Sequence, residues 1–534
     1  MTIGEKIAQL RTEANISQEW LAERLAVSRQ SISKWEMNQA TPQVDNILQL
    51  CDIFDISTDD LLRENKTIIR TAAAQQRNKY FGTDGFRGEA NRTLTSMQAY
   101  KVGRFLGWYY GCGKTNSKPR IVIGKDTRRS SYMLEYSIAA GITASGADAY
   151  MLHVTTTPSV SYVTRQDDFD CGIMITASHN PYYDNGIKVI NAYGEKLDEK
   201  TTSLIEAYLD GDLKALNILD DDLPLATGDR IGCIVDYSSG RNRYIAYLIS
   251  LASHSYKNLR IGLDCANGAS WMIAKAVFSA LGAQTEVIGA EPNGLNVNTD
   301  CGSTHMEALC RLVREQHLDV GFAFDGDADR CIAVDENGKI IDGDAMLYIL
   351  GKRLKSRGTL NKDTVVATVM SNSGLVANLE KAGIKCVQTA VGDRFVYESM
   401  QTNDYSLGGE QSGHIILKKY ATTGDGILTA IMMTEEICDS KTSLSKLAEP
   451  VTLYPQYLKN IKVKDKAAVL SDEAVVNEVK AVEQLINKKG RVLLRQSGTE
   501  PLIRVMTECE TEEKCVEYAH RIADVIAQRG HCHD

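Results

Sequence analysis

Nowhere does the chain hold about 18 consecutive apolar residues, the length a helix needs to cross a bilayer, so no part of it is expected in a membrane. Its first residues, MTIGEKIAQLRTEANISQEW, mix polar and apolar side chains and lack the apolar core of a secretory signal. There is no Cys-x-x-Cys spacing; the 13 scattered cysteines, an odd number, read as reduced thiols of a cytoplasmic protein. Excess positive charge is missing too. The 60 Lys and Arg against 69 Asp and Glu leave a net charge of −9, which argues against non-specific coating of nucleic acid or anionic membrane. Nor is there the shortage of apolar residues that marks disorder, with 43% hydrophobic and 24% charged. His531-Cys532-His533 reads as a frayed polar tail rather than a metal site. A length of 534 residues then predicts three to five domains at roughly 100–200 residues each.

The first 65 residues carry apolar side chains at helical spacing. Ile3, Ile7 and Leu10 mark a first helix. Ser17 caps a second with Leu21 and Leu25, and Ser28 caps a third with Ile32 and Trp35. After Pro42, Val44, Ile47, Leu48 and Cys51 stripe a fourth, and Ser57 opens a fifth around Leu61 and Leu62. Residues 66–78 read as a linker. From Lys79 on, strand-like runs alternate with helical patterns: Arg120–Gly124, Leu259–Cys265, Val320–Phe324 and Thr364–Met370. That alternation predicts α/β units with parallel sheets and chemistry at the strand C-terminal ends. Near the C-terminus, strands at Val492–Leu494 and Leu502–Met506 flank a polar loop, and a helix begins at Thr511.

Helix, short turn and helix within a five-helix unit is the helix-turn-helix pattern. The candidate recognition helix is Ser28-Arg-Gln-Ser-Ile-Ser-Lys-Trp-Glu36. Arg29, Gln30, Ser33 and Lys34 avoid its apolar face and are candidate DNA contacts, together with Ser28 and Gln18. Arg and Gln suit base edges; Ser and Lys suit phosphates. The bland alternative is a small protein-interaction domain. Six cations against eleven anions give residues 1–65 a net −5, which weakens any electrostatic footprint.

The chemistry lies further on. Asp325-Gly-Asp-Ala-Asp-Arg330 follows an apolar strand. Its three carboxylates converge only if the backbone curls, and an all-oxygen set selects a hard cation such as Mg²⁺. A Ca²⁺ loop of helix-loop-helix type would use Glu336 at its last position. It fails because Arg330 stands where glycine is required and Ile332–Val334 read as strand. A merely solvated acidic turn leaves the mutual repulsion unexplained. Thr176-Ala-Ser-His-Asn-Pro181 puts Ser178 at a strand end, a candidate nucleophile with His179 as candidate base. Without a Gly-x-Ser-x-Gly elbow, ester hydrolysis is disfavoured, and a plain polar turn is the competing reading. Arg495-Gln-Ser-Gly-Thr-Glu-Pro501, with Arg504 beyond it, offers the donors of a phosphate nest; its alternative is a surface turn. Gly408-Gly-Glu-Gln-Ser-Gly-His414 sets Glu410, Ser412 and His414 among glycines, Gly409 included, where a polyol can approach. Phe81–Gly88 brackets Arg87, an anion ligand or a turn residue. One serine, one hard-cation site, one phosphate clamp and one polyol reader together fit phosphoryl transfer on a sugar phosphate better than hydrolysis.

On these loops, residues 79–534 resemble the α-D-phosphohexomutase family. Further pointers, to its amino-sugar branch, are Ser178-His-Asn-Pro-Tyr-Tyr-Asp-Asn-Gly-Ile-Lys188, Cys301-Gly-Ser-Thr-His305, Val391-Gly-Asp-Arg394, Gln411 and Thr423-Gly-Asp-Gly426. Residues 2–63 are similar to Cro/repressor-type helix-turn-helix domains. The resemblance implies an α/β fold of four domains around a cleft, three α/β and a smaller α+β C-terminal one, behind an all-α five-helix module. The expected boundaries are 1–65, a linker at 66–78, then 79–230, 231–336, 337–448 and 449–534. It implies Ser178 as phosphoserine, loaded by a sugar 1,6-bisphosphate or by autophosphorylation. Mg²⁺ would be held by Asp325, Asp327, Asp329 and the Ser178 phosphate. Glu410, Ser412 and Gly409 would face the sugar. Arg495, Ser497, Gly498, Thr499 and Arg504 would hold the non-reacting phosphate. Arg87, Lys188, Arg330 and His414 would line the reacting end, with Lys188 and His414 as acid/base candidates. The implied reaction interconverts glucosamine 6-phosphate and glucosamine 1-phosphate through a 1,6-bisphosphate. Gln496 departs from a proline frequent in that branch. Alternatives are mannose or glucose phosphates as substrates, or a sugar-phosphate-responsive regulator using the mutase half as sensor. The implied partners are a hexosamine phosphate, DNA through residues 1–65, and a second copy in a homodimer.

Overall fold

The computed structural model of the protein describes residues 2–13, 17–25, 27–54, 79–82, 84–112, 114, 117–487, 490–496 and 502–532. The chain divides into two units, Met1–Lys79 and Tyr80–Asp534.

In the first unit the helical spacing becomes α1 (Ile3–Glu13), α2 (Gln18–Arg24), α3 (Arg29–Glu36) and α4 (Val44–Phe54). Ser17 Oγ accepts from the Trp20 amide and Ser28 Oγ from the Ser31 amide, so both expected caps form. Ile7, Leu10, Leu21, Leu25, Ile32, Trp35, Ile47, Leu50 and Phe54 close one core. Each buried aliphatic or aromatic side chain contributes about 1.5–3 kcal/mol. Under α3, Arg11 Nε donates to Glu36 Oε1 at 2.6 Å and Gln18 Nε2 donates to Glu36 Oε2 at 2.7 Å, which ties α1 and α2 to α3. The fifth helix and the 66–78 linker lie outside the described residues.

The second unit is built on four sheets. The first has the order β1-β2-β6-β5-β3-β4-β7, from Phe81–Gly82, Gly85–Glu89, Asp184–Asn191, Cys171–Ile175, Arg120–Lys125, Asp148–Val154 and Ile234–Asp236. The second, β12-β11-β10-β8-β9, uses Ile340–Ile341, Cys331–Asp335, Val320–Phe324, Arg260–Asp264 and Gln284–Ile288. The third, β14-β13-β15-β16, uses Lys385–Thr389, Thr364–Thr368, Leu407–Gly409 and Ile415–Leu417. The fourth, β17-β19-β18, uses Gln456–Lys462, Leu502–Glu508 and Arg491–Gln496 and is antiparallel throughout. One continuous core runs beneath the second and third sheets.

The expectation of parallel sheets needs correcting: the first three are mixed. β5–β6, β10–β11 and β15–β16 pair antiparallel, each across a loop that carries candidate chemistry. The reason is chain length. A parallel return needs a crossover of about a dozen residues or more, and these loops are too short for one. The functional loops are therefore hairpin connections at the ends of parallel cores. Among the described residues no helix is long and apolar enough to cross a membrane.

Candidate active site

All five residues of β5 are buried, and the chain leaves it through Thr176-Ala-Ser178. Ser178 takes φ +53°, a left-handed conformation that a serine adopts only when its surroundings hold it there. The restraints are visible. The Ser178 amide donates to Thr176 Oγ1 at 2.9 Å, and Thr176 Oγ1 donates to Asp126 at 2.8 Å. The Ser178 carbonyl accepts from Arg128 at 2.9 Å and from Asn298 Nδ2 at 2.8 Å. A Cβ at Gly326 would lie 2.5 Å from that same carbonyl, so glycine lets the β10–β11 loop pass against the serine turn.

That loop curls at Ala328, φ +56°, and its three aspartates offer oxygens within 4.8 Å of one another. Ser178 Oγ donates to Asp325 Oδ2 at 2.5 Å. Burial, then Asp329 and Asp327, push the Asp325 carboxyl up to about 8. Lys188, on β6, reaches Asp327 at 2.6 Å and Asp329 at 2.9 Å. Burial opposes charge on Lys188, but those two carboxylates outweigh it and hold the ammonium well above the lysine range. Burial likewise opposes charge on Asp329, and Lys188, His414 and Arg330 outweigh it, holding Asp329 well below the carboxylate range. Among the described residues, Asp327 Oδ1 and Asp329 Oδ1 are buried with no hydrogen-bond partner, and Asp329 Oδ1 has only long ion pairs, to His414 Nδ1 at 3.8 Å and Arg330 Nε at 4.0 Å. Two such oxygens beside a third carboxylate in an all-oxygen set fit a hard divalent cation.

His179 Nδ1 is 3.4 Å from Ser178 Oγ. Burial, then Arg330 and Arg87, bring His179 down to about 4, so it is neutral at pH 7. Among the described residues, Arg87 Nε and Arg330 Nε are buried without a hydrogen-bond acceptor, the nearest carboxylate oxygen to Arg330 Nε being Asp329 Oδ1 at 4.0 Å, as donors awaiting an anion would be. Glu410 and Ser412 sit together between β15 and β16: Glu410 Oε1 accepts from the Gly392 amide at 3.0 Å and Oε2 from Ser412 Oγ at 3.3 Å. Gly409 lies on β15, paired with Ile415, rather than in the loop. His414 is engaged at both ring nitrogens. Its Nε2 accepts from the Gly424 amide at 3.0 Å and is 3.5 Å from Asp393, while Nδ1 is 3.8 Å from Asp329. Arg495 and Arg504 stand directly opposite in the β18–β19 register, an arrangement of like charges that an anion relieves. Burial, then Arg504, lower the Arg495 guanidinium. Ser497, Gly498 and Thr499 lie outside the described residues.

In the first unit, Ser28, Arg29, Gln30 and Lys34 are exposed and Ser33 is half-buried, whereas the Gln18 amide is spent on Glu36. Arg29 pairs with Glu19 at 2.8 Å. The sequence gives no role to Asp126, Arg128, Lys196 or Asn298, and it holds Asp84 and Asp393 only as members of the Phe81–Gly88 and Val391–Arg394 stretches. The signal it does hold is Lys125-Asp-Thr-Arg128 at the end of β3, a charged run after a buried strand.

Four sheets with a strained serine against a carboxylate triad, neighbouring cations and a glycine-framed Glu410 describe an enzyme of phosphoryl transfer. The chain belongs to the phosphoglucomutase/phosphomannomutase family, with α/β/α domain I matched at residues 78–215, domain II at 242–338, domain III at 342–454 and the C-terminal domain at 458–525. Residues 7–61 match a helix-turn-helix model. The phosphoglucosamine mutase of Lachnospira eligens is 59% identical over 453 residues, covering 85% of this chain and 99% of that one. That of Bacillus subtilis is 48% identical over 448 residues, covering 84% and 98%. A phosphoglucomutase/phosphomannomutase family protein from Burkholderia thailandensis shares the fold at TM-score 0.69 and 20% identity, over 85% of this chain and 98% of that one. Aspergillus fumigatus N-acetylphosphoglucosamine mutase does so at 0.60 and 18%, over 86% and 98%.

Proposed function

We propose that the catalytic unit interconverts glucosamine 6-phosphate and glucosamine 1-phosphate in the cytosol. The observation that carries the reading is Ser178 Oγ at 2.5 Å from Asp325, inside a buried carboxylate triad. Asp325, Asp327, Asp329 and an oxygen of phosphorylated Ser178 would hold Mg²⁺, which when bound neutralises charge developing on the transferred phosphoryl group. Ser178 carries that group. Its P–Oγ bond breaks as the sugar O1 bonds to phosphorus and the O1 proton passes to Oγ, giving the 1,6-bisphosphate. The bisphosphate turns over, and Ser178 Oγ takes the 6-phosphoryl group while its proton passes to O6, leaving glucosamine 1-phosphate. Arg87 and Arg330 face the reacting oxygens with their unpartnered Nε donors. Lys188 stays charged, so it serves as a fixed cation beside the reacting oxygens rather than as an acid or a base. Neutral His179 is the group beside Oγ able to accept a proton. Glu410 and Ser412 accept from and donate to sugar hydroxyls. Arg495 and Arg504, with Ser497, Gly498 and Thr499, hold the phosphate not in transfer. Comparing turnover of glucosamine, mannose and glucose 6-phosphates by wild type and Ser178→Ala tests this. Turnover surviving in Ser178→Ala overturns the mechanism, and a preference for mannose or glucose moves the substrate.

A second function rests on the first unit. Arg29, Gln30 and Lys34 stand exposed on a Ser28-capped helix, the side chains a major groove requires. We propose that this unit binds DNA. Selection from a random duplex library by the full chain, with a chain starting at Tyr80 as control, tests it. Equal retention by both removes the reading.

A further inference from the structure

Lys196 lies between β6 and the helix Glu199–Leu209, on the side of the unit that carries Ser178. Its ammonium donates to Asp84 Oδ1 at 3.2 Å and to Asp393 Oδ1 at 2.5 Å. Asp84, in the β1–β2 turn, also sits 3.4 Å from Arg87. Asp393 opens the helix Asp393–Asn403 on the third sheet's side, and its other oxygen is 3.5 Å from His414 Nε2. The residue before it, Gly392, gives its amide to Glu410 Oε1 at 3.0 Å. A single ammonium therefore straps the serine-bearing sheet to the turn that aims Glu410.

Other polar contacts cross the same boundary. Arg394 meets Glu199 at 2.6 Å and Tyr397 donates to Glu195 at 2.9 Å. The Arg394 bridge is the more exposed one, and such pairs are worth about 0–1 kcal/mol. The Lys196 contacts differ in being linked, through two adjacent residues, to the sugar-facing carboxylate.

We infer that Lys196 is a positioning residue for sugar binding, setting the register between Glu410 and Ser178 through Asp393 and Gly392. The inference rests on the mutase reading above, and its chemistry explains the need. The sugar must offer O1 and O6 in turn to one fixed oxygen, while its reader stands on another sheet. A reader displaced from the bound sugar's hydroxyls loses its hydrogen bonds to them, and groups acting together need placing to about 0.5 Å.

The test is steady-state kinetics on glucosamine 6-phosphate and glucose 6-phosphate with saturating Mg²⁺. Lys196→Met is expected to raise KM for glucosamine 6-phosphate about tenfold, the loss expected from one charge-assisted hydrogen bond. It should lower kcat less, narrow the preference between the two sugars, and be largely rescued by Lys196→Arg. Asp393→Asn reads the same bond should Lys196→Met fail to fold, and its effect should not add to that of Lys196→Met. Glu199→Gln, which breaks the neighbouring bridge, should leave KM within about twofold. An unchanged KM, a loss confined to kcat, or an equal effect of Glu199→Gln overturns the inference. Wild type that turns over no hexose phosphate overturns the mutase reading and the strap with it, and is told apart because it appears before any variant is made.

Discussion

Replacing Lys188 by methionine probes the carboxylate triad directly. The ammonium lies 2.6 Å from Asp327 and 2.9 Å from Asp329, all three side chains being buried. At an effective dielectric of about 20, unit charges about 4 Å apart interact by about 4 kcal/mol. Desolvation takes back much of that, yet removing one partner of a buried pair still costs about 3–5 kcal/mol, because the other charge is left uncompensated. Lys188→Met keeps the apolar stem and deletes only the charge, leaving the Asp327 and Asp329 carboxylates beside each other without their cation. In chelator the variant should therefore unfold earlier than wild type by about that amount. Mg²⁺ should close much of the gap. A ligand at 100 times its Kd stabilises the state that binds it by about 2.7 kcal/mol, and in the variant no ammonium competes for the carboxylates. The assay is thermal unfolding of both proteins in chelator and in saturating Mg²⁺, comparing the same transition because a chain of several domains need not melt in one step. If Mg²⁺ moves neither transition, the triad is refuted as a cation site; if both move equally and the gap stays constant, the competition with Lys188 is refuted.

Three further outcomes are expected. Burial, then Asp342, push buried Asp344 up to about 7 against an ordinary value near 4. Between those values the folded state holds a proton that the unfolded state has released, so stability falls as pH rises from about 4 to about 7, at about 1.4 kcal/mol per unit. Asp344→Asn should remove that slope in denaturant titrations, and an unaltered slope argues against the assignment. Gly326→Ala should lower kcat about 10²-fold, since its Cβ would stand 2.5 Å from the clamped Ser178 carbonyl and displace the serine; wild-type kcat would show that the turn has slack. Arg29→Ala should weaken binding to a selected duplex by about 1–3 kcal/mol if Arg29 reads a guanine, measured by fluorescence anisotropy, with mutase kinetics unchanged; equal affinity would move recognition to other residues.

How much of this the sequence carried follows from how far apart the interacting residues lie. Val320–Phe324 is a strand at the expected residues because five buried residues, four of them with apolar side chains, lie between polar loops. The Asp325–Arg330 loop was legible because its chemistry is concentrated within a few residues. The clamp on Ser178 was not. Asn298 and Ser178 are 120 residues apart, and nothing around Asn298 announces a partner. Lys196 and Asp393 are 197 apart, and neither stretch shows that the two pair. Strand direction is hard to read for a related reason: alternating strands and helices suggest crossovers, and only loop length separates a crossover from a hairpin.

The same distance argument bears on electrostatics. The net −5 of residues 1–65 counsels against DNA, but a recognition helix acts through the few side chains it exposes. Of these, Arg29 is held by Glu19 at 2.8 Å, with both side chains more than half exposed. Exposed pairs of this kind are worth about 0–1 kcal/mol, less than the 1–3 kcal/mol of a good base contact. Glu19 is thus a brake on Arg29 rather than a block. Removing it by Glu19→Gln should strengthen duplex binding several-fold and flatten its salt dependence little, because the change frees one cation without adding another. A bulk count of charge cannot express this, since it sums Glu19 and Arg29 to zero.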